Sequence, residues 1–250
     1  MGDGVDTLQF IEAMLENTSS GVDAPAAFIF EPVQGEGGLN AASDEWMQGV
    51  AKLAKKLGAL LIVDDIQSGI GRTGTYFGFE KAGIVPDMVT QAKSLSGFGL
   101  PFAALLIKRE HDIWKPAEHN GTFRGNNHAF VTARVALEKF WADKQFETEL
   151  ATKSAELTTN LQALADLIPD ARLKGRGLMQ GVDVGSGELA GAICARAFEK
   201  GLIIETSGAD DEVVKVLAPL TTSKETFAKG FEILLDAARD VLSTSKIAAE

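Results

Sequence analysis

Cysteine, basic residues and long hydrophobic runs are all scarce in this 250-residue chain. The single cysteine, Cys194, excludes an internal disulfide, and its apolar neighbours favour core packing over a catalytic thiol. No apolar run approaches the roughly 20 residues that a membrane-spanning helix needs. The chain has 24 Lys and Arg against 35 Asp and Glu, a formal charge of −11, which disfavours nucleic acid and anionic membranes as partners.

The first six residues also lack the basic flank and apolar stretch of a secretory signal peptide, so we expect a cytoplasmic protein. Apolar residues make up 45% of the chain and charged residues 24%. This composition is typical of a globular protein with a substantial core.

Short apolar runs alternate with an amphipathic helix in the first half of the chain, which predicts an α/β fold with a mostly parallel sheet. The helix is predicted to begin after Ser43, a capping residue, and to end at Gly58. Strands are predicted at 26–30, 59–63, 87–90 and 102–107. The first of these is expected to be buried on both faces.

The second half predicts two long helices and then a small α+β domain. A polar loop at 111–125 separates the two halves, and a domain boundary is predicted between residues 142 and 143. Helices are predicted at 129–141, at 146–167, from the region after 184 to Gly201 and near the C-terminus, and strands at 178–184, 202–204 and 213–217.

Polar side chains follow three of the predicted strands, where ligands of a parallel sheet collect. They are Glu31, Asp64 with Gln67, and Lys93. Lys93 lies among glycines and serines, and it could contact a phosphate, form a Schiff base or be an ordinary solvated lysine. The neighbouring Asp64 favours a cationic ligand such as a pyridinium nitrogen, because a buried carboxylate needs a cation to offset its desolvation.

Several motifs, in this order and spacing, resemble those of class III (ω-) aminotransferases. They are EPVQGEGG at 31–38, IVDDIQSGIGRTG at 62–74 and AKSLSG at 92–97. The resemblance extends through 119–126 and 172–184, so it covers nearly the whole chain.

This resemblance implies the aspartate aminotransferase-like fold type I of the pyridoxal 5'-phosphate (PLP) dependent transferases. Residues 1–142 would form a partial PLP-binding large domain with a mostly parallel sheet. Residues 143–250 would form an interdomain helix and the small C-terminal α+β domain.

The resemblance also implies a role for each candidate residue. Lys93 would be the catalytic residue, forming the Schiff base with PLP and later carrying a proton. Asp64 would bind the pyridine nitrogen, Gln67 would donate to the phenolic oxygen of the ring, and Glu31 would lie at the same site. Thr122 would reach the phosphate of the neighbouring subunit's cofactor.

Glu36 would pair with a cation that alternately binds the α-carboxylate of glutamate or 2-oxoglutarate. The matching position holds Lys215, where an arginine is common in the family. Lysine binds a carboxylate as a point charge, without the two-pronged geometry of arginine.

The resemblance implies amino-acid and oxo-acid substrates and a homodimer, or a higher homo-oligomer, with shared active sites. Residues 93–101 and 114–130 resemble those of class III members that transfer an amino group from L-glutamate to L-aspartate 4-semialdehyde, a step of ectoine biosynthesis, and so imply that reaction. Ornithine, acetylornithine and 4-aminobutyrate aminotransferases remain alternatives. The family's phosphate cup and ring-stacking aromatic are not found before Phe28. We therefore expect the N-terminal part of the family's chain to be absent, and a non-catalytic dimerising fragment is a further alternative.

Two other patterns are weaker. The glycines at 69–74 formally match a dinucleotide-binding fingerprint, but they do not directly follow a strand. An acidic residue at the end of a second strand, about 20 residues later, is also missing. Arg72, within them, could bind substrate or phosphate or could tie down a loop. His111, His119 and His128 have a spacing that fits no common metal site, so we expect no metal.

Overall fold

The structure, a computed structural model, describes residues 6–248 and divides into two compact units. The N-terminal unit contains the described residues up to Pro32 together with Ala42–Gln67 and Phe79–Ala136. The C-terminal unit contains Val33–Ala41, Ser68–Gly78 and the residues from Leu137 onward. The boundary between residues 142 and 143 stays a prediction. Residues 1–5, on which the expected localisation mainly depends, lie outside the described residues.

A four-stranded sheet forms the centre of the N-terminal unit, in the order β1-β2-β3-β4. The first three strands are parallel, and β4 is antiparallel to β3. The mostly parallel sheet is therefore confirmed. The strands are β1 (Ala27–Phe30), β2 (Leu60–Asp64), β3 (Met88–Gln91) and β4 (Ala104–Ile107).

Helix α1 (Thr7–Glu16) precedes this sheet, α2 (Asp44–Leu57) connects β1 to β2, and α3 (Asn127–Phe140) follows β4. Helix α2 begins and ends as predicted. Ser43 Oγ accepts the N–H of Trp46 at 3.1 Å, which satisfies one of the unpaired donors of the first turn. Gly58 ends the helix with φ of 68°, a left-handed conformation that glycine adopts without strain.

Burial of β1 differs from the prediction. Phe30 packs edge-on against Trp46 of α2, with 5.4 Å between ring centroids. Ile29 points to the opposite face and is 64% exposed. The strand is therefore covered on one face only within the described residues, because alternate side chains point to opposite faces and α2 lies on one of them.

A carboxylate stabilises the sheet near the start of β3. Asp87, just before β3, accepts the N–H of Leu61 at 2.8 Å and the ammonium of Lys108 at 2.7 Å. His111 Nε2 lies 3.5 Å from the same carboxylate. Burial alone would raise the pKa of Asp87, but the hydrogen bonds from Lys108, Leu61 and His111 together hold it below its ordinary value. One side chain thus links β2, β3 and the segment after β4.

The C-terminal unit contains a fully antiparallel sheet of order β5-β6-β8-β7. Its strands are β5 (Arg172–Arg176), β6 (Met179–Asp183), β7 (Glu205–Ser207) and β8 (Val213–Val216). Its helices are α4 (Gln145–Ala165), α5 (Gly187–Glu199) and α6 (Lys224–Ala248). The core between sheet and helices is aliphatic and aromatic, and includes Leu150, Leu157, Leu161, Leu164, Val182, Ile193, Phe231 and Leu234.

One predicted strand of this unit is wrong. Residues 202–204 do not pair with another strand, and β7 begins at Glu205 instead. Leu202 and Ile204 are apolar because they pack against the core, whereas Ile203 between them is 85% exposed. The alternation of buried and exposed side chains at 202–204 therefore reflects packing against the core and not strand pairing.

Cys194, on α5, is partly buried and packs against the same core. Burial, with a smaller contribution from the charge of Glu205, raises the pKa of its thiol to about 11. This environment disfavours the reactive thiolate and agrees with a packing role. None of the helices in the described part of the chain has the length and apolar character needed to cross a bilayer.

Candidate active site

The carboxyl ends of β1, β2 and β3 lie at one edge of the N-terminal sheet, because the three strands are parallel. Glu31 directly follows β1, Asp64 is the last residue of β2, and Lys93 comes two residues after the end of β3. Asp64 pairs with Thr90 across the sheet. The structure therefore brings three of the predicted site residues to the same edge, where parallel sheets bind ligands.

The carboxylate of Asp64 is oriented by two hydrogen bonds to a single oxygen. Oδ1 accepts the hydroxyl of Thr90 at 3.2 Å and the backbone N–H of Ile66 at 3.1 Å. Within residues 6–248, Oδ2 accepts no hydrogen bond. A half-buried carboxylate with one fixed and one open oxygen can accept a hydrogen bond from a cationic ring nitrogen.

Lys93 has an exposed side chain and a strained backbone. Its φ of 50° lies in the left-handed region, which costs a non-glycine residue about 1–2 kcal/mol. It opens a short 3-10 turn that ends at Gly97, whose φ is 71°. A Cβ on Gly97 would lie 2.6 Å from the Cβ of Ala136, so this tight turn requires glycine. Strain of this kind concentrates at functional sites.

Two buried polar side chains flank the lysine. Gln91 is 3% exposed and Ser96 is fully buried. Gln91 Nε2 and Ser96 Oγ have no hydrogen-bond partner among the residues that the structure describes. An unpaired buried polar atom costs about 1–3 kcal/mol, and native proteins normally pair such atoms. Together with the donor and acceptor types at this edge, this arrangement fits a polar, charged ligand such as PLP.

The remaining predicted cofactor residues lie in loops of the same unit. Gln67 follows Asp64 by three residues and is half-buried. Thr122 is exposed in the loop between β4 and α3. The exposure of Thr122 is compatible with the predicted contact to another subunit, which stays a prediction.

Glu36 and Lys215 meet in the C-terminal unit, as their predicted pairing requires. Lys215 Nζ lies 3.3 Å from Glu36 Oε1. The same nitrogen lies 3.1 Å from Oε1 of Glu205, which sequence reasoning missed. Glu205 faces Lys215 across the β7–β8 pairing. Correct placement of β7 would have revealed this contact, because directly paired residues on adjacent strands are neighbours.

The turn that carries Glu36 is fixed by the end of β7. Ser207, which is 3% exposed, donates its hydroxyl to the carbonyl of Gly35 at 2.9 Å and accepts the N–H of Gly38 at 3.1 Å. The N–H of Gly208 donates to the carbonyl of Glu36 at 3.0 Å. The backbone on both sides of Glu36 is therefore held in place.

The glycine-rich loop at 69–74 belongs to the C-terminal unit and packs there. Arg72 Nη1 donates to the carbonyl of Ala218 at 2.5 Å, and the Arg72 carbonyl accepts the N–H of Leu178 at 2.7 Å. Burial lowers the pKa of the Arg72 guanidinium. The loop is tied down by its arginine and does not open a helix as a dinucleotide-binding loop does.

The histidines make local contacts. His111 lies beside Asp87, and His119 lies near Trp114 with 5.8 Å between ring centroids. Over the part of the chain that the structure describes, no group of three or more His, Cys, Asp or Glu side chains could hold a metal ion.

Comparison with known proteins identifies relatives along nearly the whole chain. The model of the family "Aminotransferase class-III" matches residues 5–238. A diaminobutyrate–2-oxoglutarate transaminase of Vibrio cholerae is 56% identical over 233 residues, which cover 92% of this chain and 57% of that protein. Its namesake in Halalkalibacterium halodurans is 48% identical over 249 residues, covering 99% of this chain and 58% of that protein.

Among solved structures, an N-acetylornithine aminotransferase of Stenotrophomonas maltophilia superposes with a TM-score of 0.74 and 34% identity, over 90% of this chain and 58% of that one. The chain thus spans less than two thirds of the length of each of these relatives. The expected fold type I is confirmed, and class III aminotransferases depend on PLP. From the family match over residues 5–238, the chain belongs to the class III aminotransferases.

Proposed function

We propose that this chain carries the PLP-anchoring part of a transaminase that moves an amino group from L-glutamate to L-aspartate 4-semialdehyde. The products would be L-2,4-diaminobutyrate, a precursor for ectoine biosynthesis, and 2-oxoglutarate. The observation that carries the proposal is the meeting of Asp64, Glu31 and Lys93 at one edge of the sheet. The substrate assignment is supported by relatives that bear the name diaminobutyrate–2-oxoglutarate transaminase.

PLP, when bound, supplies an electron sink for the negative charge that develops at the substrate carbon. Asp64 would accept the hydrogen bond of the protonated ring nitrogen through Oδ2. Thr90 and Ile66 would keep the carboxylate in this orientation through Oδ1. Gln67 would donate its amide to the phenolic oxygen of the ring, and Glu31 would border the same edge.

Lys93 would anchor the cofactor covalently through Nζ. Once displaced by the substrate amine, Nζ would take the proton from the substrate carbon and return it to the cofactor's C4'. An amine that is covalently placed before the reaction is already oriented for this proton transfer, which removes most of its entropic cost. Lys93 would therefore serve as both nucleophile and general base.

Thr122 would donate its hydroxyl to the phosphate held by a second subunit. We propose a homodimer for this reason, since a site built in this way needs two copies of the chain. The exposure of Thr122 supports the proposal.

Lys215 would bind the α-carboxylate of L-glutamate or 2-oxoglutarate when Glu36 turns away. L-2,4-Diaminobutyrate reacts through its 4-amine, so its carboxylate lies at the far end of the molecule from the reacting carbon. The pair of Glu36 and Lys215 would stay closed for that substrate. The chain would thus accept two amino acids that present different ends.

The test begins with the anchoring lysine. The purified chain is incubated with PLP and reduced with borohydride, and the modified lysine is identified by peptide mass spectrometry. We expect the cofactor mass on Lys93, its loss in Lys93→Ala and its retention in Lys52→Ala, which removes an exposed lysine of α2. Cofactor attached elsewhere, or nowhere, contradicts the assignment and favours the non-catalytic dimerising fragment.

The substrate is tested next with the PLP-loaded protein. Rates with L-glutamate are compared for L-aspartate 4-semialdehyde and for the aldehydes that correspond to ornithine, N-acetylornithine and 4-aminobutyrate. We expect the highest kcat/KM with L-aspartate 4-semialdehyde. A preference for another aldehyde would contradict the proposed substrate but not the proposed cofactor chemistry.

A further inference from the structure

Glu205 contacts the buried lysine of the C-terminal unit. Its strand, β7, pairs Glu205 directly with Lys215 of β8, and paired side chains on one face of a sheet lie about 4.5–5.5 Å apart at Cβ. Glu205 Oε1 is 3.1 Å from Lys215 Nζ, slightly closer than Glu36 Oε1 at 3.3 Å. One ammonium therefore has two carboxylate partners.

The three side chains differ in their freedom to move. The side chain of Lys215 is 0% exposed, whereas those of Glu36 and Glu205 are 78% and 64% exposed. The backbone of the Glu36 turn is held by Ser207 and Gly208. Rotation of the Glu36 side chain into solvent therefore opens this cluster without disturbing its backbone.

Glu205 is constrained in a different way. Its backbone pairs directly with that of Lys215, so the separation of the two Cα atoms is set by strand pairing and the carboxylate stays within reach of the ammonium. When Glu36 leaves, Glu205 is the remaining partner of Lys215 in this cluster. A buried ammonium without a counter-ion is strongly disfavoured, so Glu205 lowers the barrier to exchanging one carboxylate for another.

We infer that Glu205 is a positioning residue that acts through Lys215, staying paired with the buried lysine while Glu36 and a substrate carboxylate exchange places. This inference rests on the proposed function for the identity of that substrate. It makes Glu205 important for the half-reaction with L-glutamate, which requires the exchange. The half-reaction with L-2,4-diaminobutyrate, in which the cluster stays closed, does not depend on it.

Single-turnover kinetics of the PLP-loaded holoenzyme test this difference. We expect Glu205→Gln to slow the half-reaction with L-glutamate on the order of tenfold or more, because it removes a counter-charge from beside the buried ammonium. The half-reaction with L-2,4-diaminobutyrate should change by less than about twofold. Glu205→Asp should recover part of the rate, and Glu188→Gln, on the exposed start of α5, should change neither reaction. Equal slowing of both half-reactions, or an unchanged glutamate rate, overturns the inference.

A stability cycle separates this inference from the proposed function, because it needs no turnover. Urea midpoints are compared for Glu36→Gln, Glu205→Gln and the double variant. We expect the double variant to lose more stability than the sum of the single losses, since only it leaves Lys215 without a carboxylate. The excess should vanish in a Lys215→Met background. Additive losses overturn the role of Glu205. A holoenzyme that is inactive with both substrates overturns the proposed function instead, and the stability cycle then still tests the pairing of Glu205 with Lys215.

Discussion

Replacing Gly177 by alanine should destabilise the C-terminal unit strongly. Gly177 has φ of 66°, and a Cβ there would lie 2.5 Å from the carbonyl carbon of Thr73 and 2.6 Å from the carbonyl oxygen of Arg72. Both are backbone atoms, so relief requires a shift of the loop at 69–74. Overpacking typically costs about 1–3 kcal/mol, and the left-handed backbone adds about 1 kcal/mol for alanine. We expect a total loss of about 2–4 kcal/mol.

Gly185→Ala is the matched control. Gly185 has a similar φ of 72°, but a methyl group at this position would have no atom within 4 Å beyond its chain neighbours. It should therefore lose only the backbone contribution of about 1 kcal/mol. Urea unfolding followed by circular dichroism gives both free energies if the slopes match the wild type. Equal losses in the two variants would refute the packing argument.

Three further predictions concern single side chains. Thr90→Val removes one hydrogen bond to the carboxylate of Asp64 and should weaken PLP binding about tenfold in a fluorescence titration; an unchanged affinity would mean that the threonine does not orient the carboxylate. Asp87 has a lowered pKa in the fold, so its contribution to stability is complete above the unfolded pKa of about 4 and is lost as pH falls through the folded value. Urea midpoints of wild type and Asp87→Asn should accordingly converge below about pH 4, and a constant gap would contradict this linkage. Cys194 should react faster with iodoacetamide at about pH 9 in Glu205→Gln, because removing the negative charge of Glu205 lowers the thiol pKa and raises the thiolate fraction. Equal rates would mean that the charge of Glu205 does not affect the thiol pKa.

The sequence predicts the N-terminal sheet and its carboxyl edge well. Capping at Ser43 and Gly58 is a local signal, and the structure places both caps at the ends of α2. The apolar runs that become β1 and β2 stop at Glu31 and Asp64, so the strand ends are also encoded locally. The position of the carboxyl edge of the sheet can therefore be predicted from where the strands end and from their parallel pairing.

The C-terminal unit is harder to predict, because two of its four strands, β5 and β7, lack a simple pattern, whereas β6 and β8 lie within the predicted 178–184 and 213–217. Strand β5 (Arg172–Arg176) is rich in charge and was not predicted. Strand β7 has only three residues, and the apolar segment just before it gives a stronger false signal. The contact between Glu205 and Lys215 depends on the register of β7 against β8, which no local feature of either strand specifies.

The same register problem explains why Ser207 was missed. A serine at the end of a short strand is an ordinary feature of a sequence, and its two hydrogen bonds go to backbone groups about 170 residues earlier in the chain. Long-range contacts of this kind become visible only when the structure brings the two segments together.

The interleaving of the two compact units limits how the gene could be divided. Val33 and Leu39 come from the first fifth of the chain, yet they share a buried cluster with Met179 and Val213. A gene segment that encoded only the residues after 142 would expose those last two side chains to water and would lack Glu36. The C-terminal unit therefore cannot be transplanted as one contiguous block of sequence, because residues 33–41 belong to it.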